Sequence, residues 1–390
     1  MNAAPVLKVE NLLVKRGGVT VLDISSLFIR EREILTLIGP NGTGKSTVLL
    51  TLACLLKPFQ GSIIFKGQRV DTHQAVFAYR RKLAMVFQKP LLFNATVFDN
   101  VASGLKIRGM RKGEIQRRVM ECLERFGISH LSRRSARKLS GGEAQRTSLA
   151  RSFATRPEIV FLDEPFASLD PPGRESLMED LGGILRETQT TAILATHDLQ
   201  EALRLSDRLA VMNEGKIVQI GPPAEVMDHP ADLFVASFVG METLMRGSVI
   251  EAGEGEGAFT VSISGHHVQV AGVARSGEKV VCGIRPEHVT LGTNSLRREP
   301  GINVLSGKIL KIVPLGLFCK VYLHCGFMVV AFVTRQFGEN LSLRVGEDVT
   351  ASFEATAVHV IRQGEIRPLS VIQTVDHRHQ TLDLNEYEEL

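Results

Sequence analysis

The apolar residues of this chain come in two textures. Up to about residue 240 they form short unbroken runs, Ile34-Leu35-Thr36-Leu37-Ile38, Leu83-Ala84-Met85-Val86-Phe87, Ile159-Val160-Phe161-Leu162 and Thr191 to Thr196, separated by stretches of other spacing. Unbroken runs of this length read as strands buried on both faces of a parallel sheet, so the first part is predicted to be an α/β core. Val6 to Val9, Ile24 to Ile29 and Gly61 to Gly67 read as strands at its edges. Leu209 to Met212 and Ile217 to Ile220 flank Asn213-Glu214-Gly215-Lys216 as a hairpin. From Val97 to Phe126 the period is helical: Phe98, Val101 and Leu105, then Ile115, Val119, Leu123 and Phe126. This predicts a helical subdomain at about 90–155 inside the core. A helical segment from Pro223 to Phe238 closes the first domain, 1–240.

Beyond residue 240 the texture turns to short alternating segments between glycine-rich or charged turns. Phe259 to Ile263, His267 to Val270 and Val280 to Ile284 form one set; Gly307 to Val313, Lys320 to Leu323, Phe327 to Thr334 and Val349 to Phe353 form another. The pattern predicts an all-β region of small OB-like barrels in two halves, 241–375. His266 and His267 are expected in a turn, and no partners stand at metal-ligand spacing from them. The polar stretch 376–390 is expected to be a flexible tail.

Composition narrows this picture only a little. A chain of 390 residues exceeds one hydrophobic core and is expected to hold two or three domains. Its 44% hydrophobic and 23% charged residues are ordinary for a globular protein, and a net charge of +4 spread among acidic residues gives no nucleic-acid footprint. The five cysteines are scattered, which predicts reduced thiols. The start, Met1-Asn2-Ala3-Ala4-Pro5, lacks the pattern of a signal peptide, and the apolar stretch Val48 to Leu56 is too short to span a bilayer. Membrane association is therefore expected only through a partner.

The candidate chemistry is concentrated after the core strands. Gly39-Pro40-Asn41-Gly42-Thr43-Gly44-Lys45-Ser46-Thr47 lies between the run ending at Ile38 and Val48-Leu49-Leu50-Thr51-Leu52-Ala53, so it reads as strand, glycine-rich loop, helix. A loop that wraps a polyphosphate must bring its amides close to the oxygens, and the following helix adds its unpaired N–H groups. Lys45 would neutralise the phosphates, Ser46 would ligate Mg²⁺, and Thr47 is a further phosphate donor. The competing reading, a strand-to-helix turn with an incidental lysine, does not account for the full spacing. Leu139-Ser140-Gly141-Gly142-Glu143-Ala144-Gln145-Arg146 opens a second helix with Ser140 as N-cap, another anion-binding helix start. Asp163-Glu164 and His197-Asp198 each follow a core strand, at the ligand edge of such a sheet. Asp163 suits a metal ligand, Glu164 a general base for water, and His197 a sensor of the γ-phosphate. An acidic pair after a strand can also be plain loop surface; the upstream loop is what favours a site. Gln88 ends the strand at Leu83 to Phe87.

Taken in order, these residues resemble the ATP-binding cassette family over roughly the first 240 positions, and in particular the ATP-hydrolysing subunits of importers. Gly39 to Thr47 resembles Walker A, Gln88 the Q-loop and a further Mg²⁺ contact, Leu139 to Gln145 the signature sequence, and Asp163-Glu164 Walker B with the catalytic base. Ser168-Leu169-Asp170 resembles the D-loop and His197 the switch histidine. The resemblance implies ATP and Mg²⁺ as ligands and a head-to-tail homodimer, in which Ser140, Gly141, Gly142, Gln145 and Asp170 of one copy serve the nucleotide held by the other. It also implies integral membrane permease subunits, an extracytoplasmic solute-binding protein, and a peripheral place on the cytoplasmic face of the plasma (inner) membrane. One position departs from the pattern. Family members carry an adenine-stacking aromatic before the P-loop strand, and Val14-Lys15-Arg16-Gly17-Gly18 puts Arg16 there; a guanidinium can also stack on a flat ring.

The two β sets resemble the halves of the TOBE region of importer ATPases, with Ile284-Arg285-Pro286-Glu287 similar to a segment common there. From Asn303 to Ile361 the chain resembles the Mop-type module that binds molybdate or tungstate, through Asn303 to Lys308 and Val333-Thr334-Arg335. This implies a regulatory oxyanion at the C-terminal domain and an oxyanion such as tungstate or molybdate as the imported solute. Glu354 stands where that family has a lysine, and its carboxylate opposes an oxyanion unless it points away. The same ATPase role for a sugar, polyamine, iron or sulfate importer, or a non-transport cassette ATPase, is the alternative.

Overall fold

The computed structural model describes residues 5–252, 257–292, 300–340 and 343–362. The expected tail and the end of the expected second domain, 363–390, lie outside them. The chain divides into two compact units between Val226 and Met227, ahead of the position 240 expected from texture.

The first unit holds two sheets. Strands β1 (Leu7–Arg16) and β2 (Val19–Ile29) form a hairpin, and with β4 (Gln60–Phe65) and β5 (Gln68–Arg69) they make an antiparallel sheet of order β2-β1-β4-β5. Strand β3 (Ile34–Ile38) leads into α1 (Lys45–Leu52), and α2 (His73–Arg80) leads to β6 (Leu83–Val86). After the helical part come β7 (Ile159–Asp163), α6 (Pro171–Thr188), β8 (Thr191–Thr196), α7 (Leu199–Leu205), β9 (Arg208–Asn213) and β10 (Lys216–Gly221). The second sheet runs β10-β9-β3-β8-β7-β6; all its pairs are parallel except the β9–β10 hairpin.

Every residue of β3, β7 and β8 is buried. Apolar side chains on one face of this sheet pack with β1 and α1; those on the other pack with the helical subdomain and α6. That two-sided burial is why these strands appear in the sequence as unbroken apolar runs.

The helical part contains α3 (Val97–Ile107), α4 (Lys112–Arg125) and α5 (Gly141–Ala154). Thr96 caps α3 by accepting a bond from the Asp99 amide at 3.0 Å, and Val101, Leu105, Ile115, Val119 and Leu123 bury the predicted helical stripe. The expected single segment from Pro223 to Phe238 is two short helices, α8 (Pro223–Asp228) and α9 (Leu233–Phe238), separated around Pro230. A proline removes the amide that a continuous helix would need there. Helix α9 packs Leu233 and Ala236 against Met241, Val281 and Ile361, which ties it to the second unit.

That second unit is two five-stranded antiparallel sheets. Its strands are β11 (Thr243–Glu251), β12 (Ala258–Ile263), β13 (His266–Ala271), β14 (Lys279–Ile284), β15 (Thr290–Gly292), β16 (Ile302–Leu315), β17 (Phe318–His324), β18 (Met328–Thr334), β19 (Asp348–Glu354) and β20 (His359–Arg362), with α10 (Arg335–Asn340) after β18. The orders are β13-β12-β11-β14-β20 and β15-β19-β16-β17-β18. The two halves are therefore not sequential barrels. The last strand, β20, returns to the first sheet beside β14, and β15 crosses to the second beside β19. Buried Asn303 stitches the halves, accepting from the Gln269 amide at 2.7 Å and donating to the Gln269 carbonyl at 2.8 Å. His266 and His267 open strand β13 rather than forming the turn, which is Ser264-Gly265, both at positive φ.

Candidate functional site

In the central sheet Ile38 lies opposite Thr196, and Asp163 opposite Ala195. Strands β3, β8 and β7 thus end together, and β6 is in register beside them with Val86 opposite Leu162. The loop after Ile38, the His197 corner, the Asp163-Glu164 pair and Gln88 consequently leave the same carboxyl edge of the sheet, where ligands bind in open α/β folds. Gln88 itself is exposed, in a bend after β6.

The Gly39–Thr47 loop fits too closely for other residues at two places. A Cβ on Gly39 would lie 2.3 Å from the Met212 carbonyl oxygen, and one on Gly44, at φ 100°, would lie 2.6 Å from Leu22 Cδ2. Lys45 is buried and its ammonium donates to the loop's own carbonyls, Gly39 at 2.7 Å and Pro40 at 3.0 Å. Thr43 Oγ1 donates to the Pro40 carbonyl at 3.0 Å, Asn41 is exposed, and Thr47 is buried in the first turn of α1. Ser46 Oγ donates to Asp163 Oδ1 at 2.8 Å, joining the loop to the end of β7. Burial lowers the Lys45 pKa and raises that of Asp163, so each gains from an oppositely charged ligand. A hydroxyl and a carboxylate at this separation are hard oxygen donors of the kind Mg²⁺ takes.

Glu164 sits at φ 45°, a left-handed conformation rare for glutamate, held by its amide's 2.9 Å bond to the Ala195 carbonyl. Its carboxylate oxygens are both 2.9 Å from Nδ1 of the half-exposed His197 ring. The structure thus brings together Lys45, Ser46, Asp163, Glu164 and His197.

Ser140, Gly141 and Gly142 are elsewhere. Ser140 caps α5 in a reciprocal box: its hydroxyl accepts from the Glu143 amide at 3.3 Å, and its own amide donates to Glu143 Oε2 at 2.8 Å. Those bonds, led by the one from the Ser140 amide, hold the Glu143 carboxyl below its usual pKa. A Cβ on Gly142 would lie 3.2 Å from Leu169 Cδ2, so the helix start packs on the Ser168-Leu169-Asp170 loop, and Asp170 in turn occupies the N-cap position of α6. No hydrogen bond among the described residues joins 140–145 to the Gly39–Thr47 loop. Gln145 is fully buried with neither amide atom hydrogen-bonded. Arg16 is exposed at the tip of the β1–β2 hairpin, opposite Val19.

Sequence reasoning missed a polar group behind His197. Thr196 Oγ1 donates to Glu201 Oε2 at 2.6 Å, Asp198 caps α7 through the Gln200 amide at 2.8 Å, and Arg174 from α6 donates to Asp198 Oδ2 at 3.1 Å. Glu201 stands three residues after the N-cap Asp198, the acidic-residue spacing that marks a helix start.

A family model described as ABC transporter matches residues 22–167, and one described as TOBE domain matches residues 282–361. The spermidine/putrescine import ATP-binding protein PotA of Rubrobacter xylanophilus is 37% identical, covering 90% of this chain and 92% of the relative. The molybdate/tungstate import ATP-binding protein WtpC of Pyrococcus horikoshii is 34% identical, covering 91% and 99%. The trehalose/maltose import ATP-binding protein MalK of Thermococcus litoralis is 35% identical, covering 88% and 94%. Among solved structures, cbiO1 of Clostridium perfringens, part of the ABC transporter complex cbiONQ, superposes with TM-score 0.54 at 34% identity, covering 57% of this chain and 90% of that one. The dimeric ATP-binding cassette MJ0796 bound to ADP and Pi superposes with TM-score 0.52 at 28% identity, covering 56% and 98%.

The missed group generates a stability prediction. Burial pushes the Glu201 carboxyl from its ordinary 4.5 up to about 7. Between those values the folded protein keeps a proton that the unfolded chain releases, so stability falls as pH rises through that window. Glu201→Gln stays neutral, and its melting advantage over the parent should grow from near zero at the acid end to on the order of 3 kcal/mol by about pH 8. A stability difference that stays constant with pH would refute this assignment.

Proposed function

The chain belongs to the ATP-binding subunits of ABC importers, and from that premise we propose that it hydrolyses ATP as a head-to-tail homodimer to drive separate membrane subunits. The observation that carries this reading is the convergence of Lys45, Ser46, Asp163, Glu164 and His197 on one sheet edge, with the Ser140 helix start unbonded to that site. Lys45 exchanges its loop carbonyls for the β- and γ-phosphates, and the amides at the start of α1 take further phosphate oxygens. Ser46 and Asp163 would hold Mg²⁺, joined by Gln88 from the bend after β6. When bound, the ion neutralises charge developing on the phosphates. Glu164 accepts the proton of the attacking water, and the His197 Nδ1–H bond keeps that carboxylate oriented. Ser140 and Gly142 of the second copy complete the phosphate site on closure, and Asp170 lies at the same subunit contact. Arg16 takes the place of the base-stacking aromatic.

The permease subunits would meet the helical subdomain near Gln88, where Leu91 and Phe93 are exposed. No helix among the described residues is long and apolar enough to cross a membrane, which accords with a peripheral subunit at the cytoplasmic face. The solute reading follows the Mop-like pattern of 303–361: tungstate or molybdate, delivered by an extracytoplasmic binding protein, with a regulatory oxyanion at the β unit. Glu354 is exposed and its carboxylate accepts from Thr356 Oγ1 at 2.9 Å, so it has a partner of its own.

Lys45→Ala should lose ATP binding or turnover, and steady-state hydrolysis at the parent rate would refute the central assignment. Glu164→Gln should still dimerise with ATP, seen by size-exclusion chromatography, while turnover falls at least about 10²-fold; a full-rate variant would remove Glu164 as base. With the permease and binding protein reconstituted, tungstate- or molybdate-loaded binding protein should stimulate hydrolysis. Stimulation by spermidine or maltose instead would replace the oxyanion reading with one of the alternatives.

A further inference from the structure

The polar group behind His197 has a geometry that its capping bonds alone do not explain. Arg174 lies in the first turn of α6, its amide donating to the Asp170 carbonyl at 2.9 Å. Its guanidinium Nη1 donates to Asp198 Oδ2 at 3.1 Å, while Nε is buried, has no hydrogen-bond partner and stands 3.9 Å from Glu201 Oε1. The other oxygen of Glu201 accepts from Thr196 Oγ1, which itself accepts from the Asp198 amide at 3.0 Å. Thr196 and Asp198 are the two chain neighbours of His197. One cluster therefore holds the backbone on both sides of the histidine, while Glu164 holds its ring.

This cluster is anchored outside the nucleotide edge. Asp170 closes the loop on which the Ser140 helix start packs, with Leu169 against Gly142. A continuous path of contacts runs from the α5 start through Leu169 and Asp170 to Arg174, then through Asp198 to His197. The path also contains slack. An approach of about 1 Å by α6 would turn the 3.9 Å separation of Arg174 Nε and Glu201 Oε1 into a charge-assisted hydrogen bond, whose ordinary length is ~2.8 Å. A buried carboxylate that lowers stability at neutral pH is poorly explained as a device for holding the fold.

We propose that Arg174, through Asp198 and Glu201, is the positioning residue that couples the Ser168–Asp170 loop to His197, tightening the histidine corner when that loop is pressed by a second copy. This rests on the ATPase reading above. Arg174 does not touch the reacting atoms; it acts through the backbone that carries His197.

The test is steady-state ATP hydrolysis by the full chain, with the parent, His197→Ala, Arg174→Ala, Arg174→Lys and the double variant Arg174→Ala/His197→Ala. Arg174→Ala should lower kcat about tenfold with KM for ATP within about twofold, because the phosphate cradle is untouched. Arg174→Lys keeps the charge without the two-pronged reach and should recover only part of the loss. Once His197 is gone, removing Arg174 should cost nothing further. Parent-like kcat in Arg174→Ala, or losses that multiply in the double variant, would overturn the proposal. If Arg174→Ala melts early, the Arg174→Lys values decide: unchanged kcat at parent stability overturns it, and a lowered kcat with KM kept supports it. A parent chain without hydrolysis, or a His197→Ala variant at full rate, would instead bring down the ATPase reading and this proposal with it.

Discussion

The site depends on one constraint: three parallel strands, β3, β8 and β7, stop at the same level. Their register, Ile38 against Thr196 and Asp163 against Ala195, delivers a phosphate loop, a histidine and a carboxylate pair to one edge. The Ser46–Asp163 bond then fixes the loop to its neighbour but one in the sheet. A slip of one residue in β7 would turn Asp163 to the opposite face and break that bond. The two-sided apolar packing that resists such a slip is thus the first condition of the chemistry, ahead of any charged group.

The same packing decides what could be read from the sequence. Strands β3, β7 and β8 were legible because burial on both faces leaves unbroken apolar runs, and Ser140 was legible as an N-cap because serine and glutamate three apart make a reciprocal box. The burial of Gln145 was not legible, because its motif neighbours are more exposed while the helical turn carries its own side chain into the interior. Helix α6 was not read, although Leu177, Met178, Leu181, Ile184 and Leu185 stand at helical spacing and Pro171-Pro172 suits its first turn. The exchange of β15 and β20 between the sheets had no local signal, because strand partners far apart in sequence are chosen by packing. Arg174 and Glu201 escaped for the same reason, being joined only once α6 and α7 lie together.

Within one chain the α5 start is capped, packed on the Ser168–Asp170 loop, and unbonded to the Gly39–Thr47 loop. A helix terminus so finished would be an unremarked surface feature in a protein that completed its site alone. One solved relative is a dimer bound to ADP and Pi, and on the proposed head-to-tail reading this terminus is the surface from which the other half of the site would be supplied. On that reading closure would bring the helix dipole to the phosphates, so the electrostatic stabilisation of the transition state would become available only on assembly.

Partial burial acts on three charged groups in and beside the site. It lowers the pKa of Lys45, raises that of Asp163 and carries Glu201 up to about 7. Burial therefore disfavours each charged form, and neighbours within the chain offset it only in part. On the proposed function a polyphosphate would relieve Lys45 and a divalent cation Asp163, so the free energy withheld from folding would return as ligand affinity. Glu201 accepts a bond from Thr196 on one oxygen, and Arg174 on the neighbouring helix stands 3.9 Å from the other. The arrangement that weakens the isolated fold thereby gives the movement of α6 a favourable end point beside His197.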